Sequence, residues 1–384
     1  MFDLQRQVKN VVKNLIKIEE GKETFCNILR SIKRKAEISF LPKIGRMDLL
    51  ENRFTYSVVP TSLKGLCIAG VDGGVVSRSL HCADMIITRA VAAIFRYESE
   101  KGPYVEYFPD KFPEPKIIVN ITPLNRINSE INANLERLKA ELEVAIKAQD
   151  EYTIDVILLN GSLLPQVTDK PFTPSTSLTR KYEEILDLYV KLYEKSMETN
   201  TILAGVIEDS RSTRFMQIIN RILPHMIYKY PELRDLLNFD YRQVLRLMRD
   251  SDFLFRFLDV GERTLTFQYS ENPYEHPILK DLKDRGWKQP IVVFYLKTVE
   301  FDIPLRIEYL TSKFNPITLA NRLASIIYPL SSYHPEYATP SVIVEADARA
   351  RLLESDLEIV YDSLVHAMGI TPSVLRLRRD RRPF

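Results

Sequence analysis

Residues 66–74 read L-C-I-A-G-V-D-G-G. Leu66 to Val71 is a short apolar run of strand length, and Asp72-Gly73-Gly74 closes it with the residues that favour a tight turn. The β-branched and aromatic stretch Met85 to Tyr97 supplies a second strand and Tyr104 to Phe108 a third, so the spacing predicts an antiparallel set with an acidic turn near its start. Then the period changes. Between Arg126 and Asp150, Leu135, Leu138, Leu142, Ala145 and Ile146 recur at helical spacing, and the chain returns in an apolar strand, Ile154 to Leu159, that stops at Asn160-Gly161-Ser162. A Pro- and Thr-rich loop (165–177) leads to a second helix, Leu178 to Thr199. A further strand, Ile202 to Ile207, ends in Glu208-Asp209-Ser210-Arg211-Ser212. Antiparallel strands followed by alternating helix and strand define an α/β fold, a mixed central sheet flanked by helices.

The flanks are more helical. Residues 4–38 place Leu, Ile and Val at helical spacing beside a basic cluster, Arg30, Lys33, Arg34 and Lys35, which reads as an N-terminal helical segment with one charged face. Residues 224–259 lack period-2 alternation and read as a helical insertion. Gly261 to Tyr269 and Ile291 to Lys297 resume strands, with Pro304 to Tyr309 as a hairpin partner. After a helix at Pro316 to Ile327 come the segment Ser341 to Asp347, a helix near Ser355 to Met368, and a basic tail from Arg376. The expected organisation is an N-terminal segment over 1–60, a main domain over 61–370 that contains the insertion, and a tail over 371–384.

Composition narrows the chemistry. With 53 basic and 51 acidic residues, any nucleic-acid site must come from local clustering and not from bulk charge. Three cysteines without C-x-x-C spacing argue against a disulfide framework and a structural zinc site. No apolar run approaches the roughly 18 residues of a membrane span and no leader pattern opens the chain, so a cytoplasmic address without a membrane partner is the expectation. The five histidines show no metal-ligand spacing. Nucleophile elbow, phosphate-loop and dinucleotide glycine patterns are absent from the sequence.

What remains is oxygen chemistry at strand ends. Asp72 stands on a strand followed by two glycines, and Asn160 and Asp209 each lie just past the carboxyl end of another strand, the edge where α/β sheets place ligands. The helix between them adds Glu141 and Glu143, which flank its apolar stripe on opposite sides at about 100° per residue, so one of the two faces any shared site. Such a set suits a hard divalent cation, which lowers the pKa of bound water and neutralises charge developing on phosphorus. Asp155 is excluded from it: five residues before Asn160, it lies roughly 17 Å away and on the opposite face.

Taken in order, these segments resemble the NurA nucleases: I-A-G-V-D-G-G at 68–74, R-A-V-A-A-I-F at 89–95, R-L-K-A-E-L-E-V-A at 137–145, V-I-L-L-N-G-S-L at 156–163, A-G-V-I-E-D-S-R-S at 204–212, F-Y-L-K with P-L-R-I-E at 294–308, and V-E-A-D-A-R-A at 344–350. The likeness spans about residues 66–366. It implies an RNase H-like core, a homodimer, manganese or magnesium, and a single-strand endonuclease and 5'–3' exonuclease. It further implies a role in resecting duplex ends during double-strand-break repair, beside a hexameric HerA-type ATPase.

By the same resemblance Asp72 matches the first metal-binding aspartate, Glu143 matches the helix glutamate with Glu141 as the alternative, and Asn160 and Asp347 occupy the remaining catalytic motif positions, with Asp209, on the edge of a different strand, as the nearby acid that could stand in as a metal ligand. Two positions depart from the family. Asn160 stands where D-G-S-L is usual, keeping an oxygen ligand but losing its charge, and Asp347 stands where histidine follows Glu-Ala, removing an imidazole suited to proton transfer near neutral pH. Glu208 also replaces a frequent lysine. Arg211, Arg214, Lys297 and Arg306 are the candidate phosphate contacts. Two outcomes follow from these departures: an active nuclease with an altered site, or a catalytically degenerate relative that binds DNA or an ATPase.

Overall fold

A computed structural model describes residues 2–33, 49–98, 102–172, 176–311, 315–369 and 375–377. Along the chain run α1 (Phe2–Ile32), β1 (Thr55–Ser57), β2 (Cys67–Ser79), β3 (Asp84–Arg96), β4 (Tyr104–Phe108), β5 (Lys116–Asn120), α2 (Arg126–Glu151), β6 (Val156–Asn160), α3 (Thr176–Glu198), β7 (Ile202–Ile207) and α4 (Arg214–Lys229). There follow α5 (Glu232–Leu236), α6 (Tyr241–Leu247), α7 (Asp250–Phe257), β8 (Glu262–Thr264), β9 (Phe267–Gln268), α8 (Pro277–Asp284), β10 (Ile291–Lys297), β11 (Leu305–Leu310), α9 (Pro316–Ser331), α10 (Ser341–Ala350) and α11 (Glu354–Met368). The chain forms two compact units. The first combines residues 1–62, 206–271 and 290–339; the second combines 63–205, 272–289 and 340–384.

In the second unit the strands lie in the order β4-β3-β2-β6-β7, with β5 also on β3. β2 and β3 pair antiparallel along all 13 residues, and β6 joins β2 in parallel from Ile68↔Val156 to Val71↔Leu159. Three antiparallel strands, a crossover helix and a parallel strand give the RNase H-like mixed sheet expected from the resemblance. Asn125 caps α2 by accepting from Asn128 N, and the stripe read from the sequence packs inward: Leu135, Leu142 and Ala145 are buried.

The acidic turn does not form. β2 runs straight through Asp72-Gly73-Gly74 to Ser79. The glycines serve close approach: a Cβ at Gly70 would collide with the carbonyl of Val342 in α10, and one at Gly73 would lie 2.6 Å from Glu141 Cγ in α2. A turn and a strand crowded on both faces demand the same residue, and local sequence cannot tell them apart. β1 and β5 were likewise not foreseen, both being short and half-exposed, and Ser341–Ala350 is a helix.

In the first unit β10 pairs antiparallel with β11, β8 and β9, and β8 carries β1. The hairpin of Ile291–Lys297 with its successor is as expected. The helical insertion is present and starts earlier, at Arg214, because α4 continues through Pro224 while burying Phe215, Ile219, Ile222 and Leu223 against Phe253 and Phe257. The C-terminal turns of α1 enter this core through Phe25, Leu29 and Ile32. Its earlier turns leave Leu4, Val8, Val11, Leu15 and Ile18 exposed. The basic cluster is in part an ion-pair network: Arg30 and Lys33 both engage Asp259, and Lys33 also engages Glu262 at 2.6 Å. Arg34, Lys35 and the tail beyond Leu377 lie outside the described residues.

Candidate active site

The second unit gathers its carboxylates where β6 gives out. The ladder between β2 and β6 stops at Val71↔Leu159, so the next residues, Asp72 and Asn160, sit side by side on the flank of β2 that β6 no longer covers. Asn160 Nδ2 donates to Asp72 Oδ2 at 3.1 Å, and the Gly73 N–H donates to Asp72 Oδ1 at 2.7 Å. Both partners of Asp72 are neutral. Asp72 is 6% exposed, and burial, with the charge of Asp347 adding to it, pushes its carboxyl up to about 6 despite these bonds.

Glu141 reaches the same strand from α2. Its side chain occupies the space a residue larger than glycine at 73 would fill, and Arg137, one helical turn earlier, donates to its Oε1 at 2.5 Å. Burial raises the Glu141 carboxyl to about 7; Arg137 opposes the shift and the Asp72 charge adds to it. The cluster thus holds two buried carboxylates against one guanidinium. An excess of buried negative charge is what a bound cation would relieve.

Placement of the other candidates follows from the same frame. Glu143 is half-buried on the far flank of α2, near Lys139, so of the two helix glutamates it is Glu141 that the fold brings to Asp72. Asp347 is exposed on α10, the helix covering the face that carries Gly70 and Asp72, and its charge reaches Asp72. Asp209 is exposed past the end of β7 and falls in the first unit. Asp155 instead fixes the start of β2, accepting from Cys67 N at 2.8 Å.

Two of the four proposed phosphate contacts need correction. Arg306 is buried and committed to Glu308 at 2.8 Å; burial works against its charge, yet Tyr295 and Glu308 hold its pKa above the ordinary value. Lys297 is buried too, donates to the Phe255 carbonyl at 2.8 Å, and has its pKa lowered by that burial. Each stabilises the interior of the first unit and presents no ammonium or guanidinium to solvent. Arg214 is ion-paired with Glu271 at 3.7 Å, and Arg211 is exposed.

The residue that sequence reasoning missed is Arg137. Its signal was the i,i+4 spacing to Glu141, which an ordinary surface pair shares. Among the described residues, no three His, Cys, Asp or Glu side chains converge as a metal cluster. Beside Asp72 the neighbouring side chain at Asn160 is a carboxamide and not a carboxylate.

A mixed central sheet of RNase H-like order flanked by helices, with Asp72 on β2 and Glu141 on α2 buried together, defines the class of this chain. Within it, the NurA domain family matches residues 67–352, and the chain belongs to that family. No curated protein sequence matches the chain. Among solved structures, the NurA nuclease from Sulfolobus solfataricus superposes with a TM-score of 0.56 at 15% identity, covering 95% of this chain and 97% of that one. A second NurA structure gives 0.50 at 10% identity, with 94% and 97% covered. At these identities the superpositions establish the fold.

Proposed function

We propose that the protein is a metal-dependent DNA nuclease that hydrolyses phosphodiester bonds at the Asp72–Glu141 cluster. The observation that carries this reading is the excess of buried carboxylate there, Asp72 and Glu141 raised to about 6 and about 7 with one arginine, Arg137, paired to Glu141. Membership of the NurA family supports it, and the similar Sulfolobus solfataricus protein is a nuclease by name.

Manganese or magnesium would be held by Asp72 and Glu141 with Asn160, an all-oxygen set suited to a hard cation. A bound ion would supply an acidified water and positive charge for the phosphodiester. The chain's own groups do the positioning. Arg137 holds Glu141 against the strand, and the Gly73 N–H fixes one oxygen of Asp72, leaving the other oriented by Asn160. Rotation of the Asn160 carboxamide exchanges its donor for its acceptor oxygen, so the contact that now holds Asp72 becomes a ligand position. Asp347, at the solvent side in place of the family's histidine, adds negative charge beside Asp72.

The finer reading extends this to single-strand endonuclease and 5'–3' exonuclease action on single strands and duplex ends, in end resection with a HerA-type ATPase, in the cytoplasm, as a homodimer. Leu4, Val8, Val11, Leu15 and Ile18 support the dimer: they repeat at the alternating three- and four-residue spacing that pairs helices, and the same stripe is buried further along α1. Among the described residues no helix is long and apolar enough to cross a membrane.

Asn160 and Asp347 favour a second reading, a degenerate relative that keeps the fold and binds DNA or an ATPase without cutting. Cleavage of labelled single-stranded DNA with manganese, magnesium or EDTA separates the two. Metal-dependent cutting that Asp72→Asn abolishes supports the enzyme; a folded protein that cuts under none of these conditions leaves the binding role.

A further inference from the structure

The helix that carries Asp347 also carries Arg349, and Arg349 does not face the carboxylates. Its guanidinium lies 4.8 Å from the ring centroid of Phe112 and 5.6 Å from that of Tyr107, while Lys111 Nζ lies 5.9 and 5.7 Å from the same two rings. Glu345 ties the group together. Arg349 donates to its Oε1 through Nε at 2.8 Å and through the terminal nitrogen at 2.6 Å, and the Tyr107 hydroxyl donates to the same oxygen at 2.6 Å. The loop after β4 is braced by Phe112 N donating to Asp110 Oδ1 at 3.2 Å. Despite this fixing, Phe112 remains 59% exposed.

Sheet register locates the group. Tyr107 pairs with Ala93 in β3, and Ala93 pairs with Gly70 in β2. Paired residues share a face, as do Gly70 and Asp72 two positions apart, so Tyr107 and Asp72 lie on one face of the sheet. Two strand spacings and two residues of offset put them on the order of 12 Å apart. A short stretch of nucleic-acid strand spans that distance.

The geometry points to Phe112, Tyr107, Arg349 and Lys111 as a stacking platform for unpaired bases of single-stranded DNA, beside the cleavage site. An exposed ring backed by a fixed guanidinium offers a π face to any base, and Lys111 offers a cation to the phosphate, a combination that grips single strands without reading sequence. Duplex DNA, its bases stacked on one another, has no face to give the ring. The inference rests on the nuclease reading for its substrate and goes beyond it in naming where the strand is held.

The test is fluorescence anisotropy of a labelled oligothymidine in EDTA, with the full chain as wild type, Phe112→Ala, Phe112→Leu and Phe112→Tyr, repeated with an abasic strand of the same length and with a blunt duplex. Loss of one base stack is worth about 5- to 100-fold in affinity. The expected pattern is that loss for Phe112→Ala, most of it for Phe112→Leu, and wild-type binding for Phe112→Tyr, with abasic-strand and duplex binding unchanged by any variant. Equal weakening on the abasic strand or the duplex would overturn base stacking, as would wild-type affinity in Phe112→Ala. If wild type cuts and binds single strands while Phe112→Ala is silent, the platform alone falls; if wild type does neither, the nuclease reading falls with it.

Discussion

Each unit buries an ionic cluster beside a strand, and the two are built to opposite ends. In the first unit Arg263 is fully buried and faces Glu51 with both terminal nitrogens, at 2.8 and 2.7 Å, while Asn321 and the Thr264 carbonyl take its remaining protons. Glu51 also accepts from the N–H and hydroxyl of Thr266. One acid meets one base and every site is used. In the second unit the hydrogen-bond partners of Asp72 are neutral, Arg137 alone serves both Asp72 and Glu141, and Asp347 adds a third negative charge at the rim. Burial is common to both, so burial alone does not single out a candidate site; the unbalanced charge does.

Removing the excess charge is the largest way to sharpen that contrast. Asp72→Asn keeps shape and deletes one ligand, and is expected to lower metal-dependent cleavage by at least about 10³-fold. The same change raises the melting temperature of the metal-free protein at pH 8, since a desolvated charge disappears. Loss of activity together with a lower melting temperature would mean that Asp72 holds the fold, not the site. The mirror change, Glu51→Gln, breaks a balanced buried pair and should cost about 3–5 kcal/mol in denaturant unfolding. A cost below about 1 kcal/mol would erase the distinction between the clusters.

The pH dependence carries a definite sign. Asp72 and Glu141 titrate at about 6 and about 7 in the folded chain, above their ordinary values of 3.8 and 4.5, so the folded state holds protons that the unfolded state has released. The stability they contribute is complete below pH about 4 and is lost as pH rises through about 6 to 7. Metal-free protein melted in EDTA should therefore lose about 1.5 kcal/mol through Asp72 and about 2.5 kcal/mol through Glu141 between pH 5 and 8, relative to Asp72→Asn combined with Glu141→Gln. Saturating manganese is expected to flatten that difference by binding the ionised pair. A difference that grows in the opposite direction would show the carboxylates already compensated.

Legibility in the sequence divides along the same line. Periodicity exposed α2, β3, β6 and β7, because each buries a regular stripe. It also singled out Asp72 as a candidate, because Asp72 stands at the end of an apolar run. What it could not resolve were properties of contact: whether Gly73 turns or makes room, and whether Lys297 and Arg306, basic residues in or beside strands, point to solvent or into a core. The charge that matters at Asn160 was visible as a departure from the family. Asn160→Asp supplies the missing carboxylate and is expected to tighten manganese binding by roughly tenfold, measured by calorimetry. No gain would indicate that the carboxamide already ligates as well as a carboxylate does.

The smallest expected effect decides which helix glutamate serves the site. Positions 141 and 143 are separated by roughly 200° around the helix axis, so they cannot both face β2. Glu141 fills the space left by Gly73 and takes the Arg137 contact, whereas Glu143 remains half-buried near Lys139. Glu143→Gln should then change stability by no more than about 0.5 kcal/mol, as a flank substitution does. Its cleavage rate should stay within about twofold of wild type, against a loss of about 10²-fold or more for Glu141→Gln. The reverse ranking would require α2 to rotate by half a turn when metal and DNA bind. The collision that Gly73 avoids with Glu141 would then have no purpose, and an alanine at 73 would be tolerated. Measuring Glu143→Gln and Glu141→Gln beside Gly73→Ala therefore tests the register of α2 on β2 as well as the identity of the ligand.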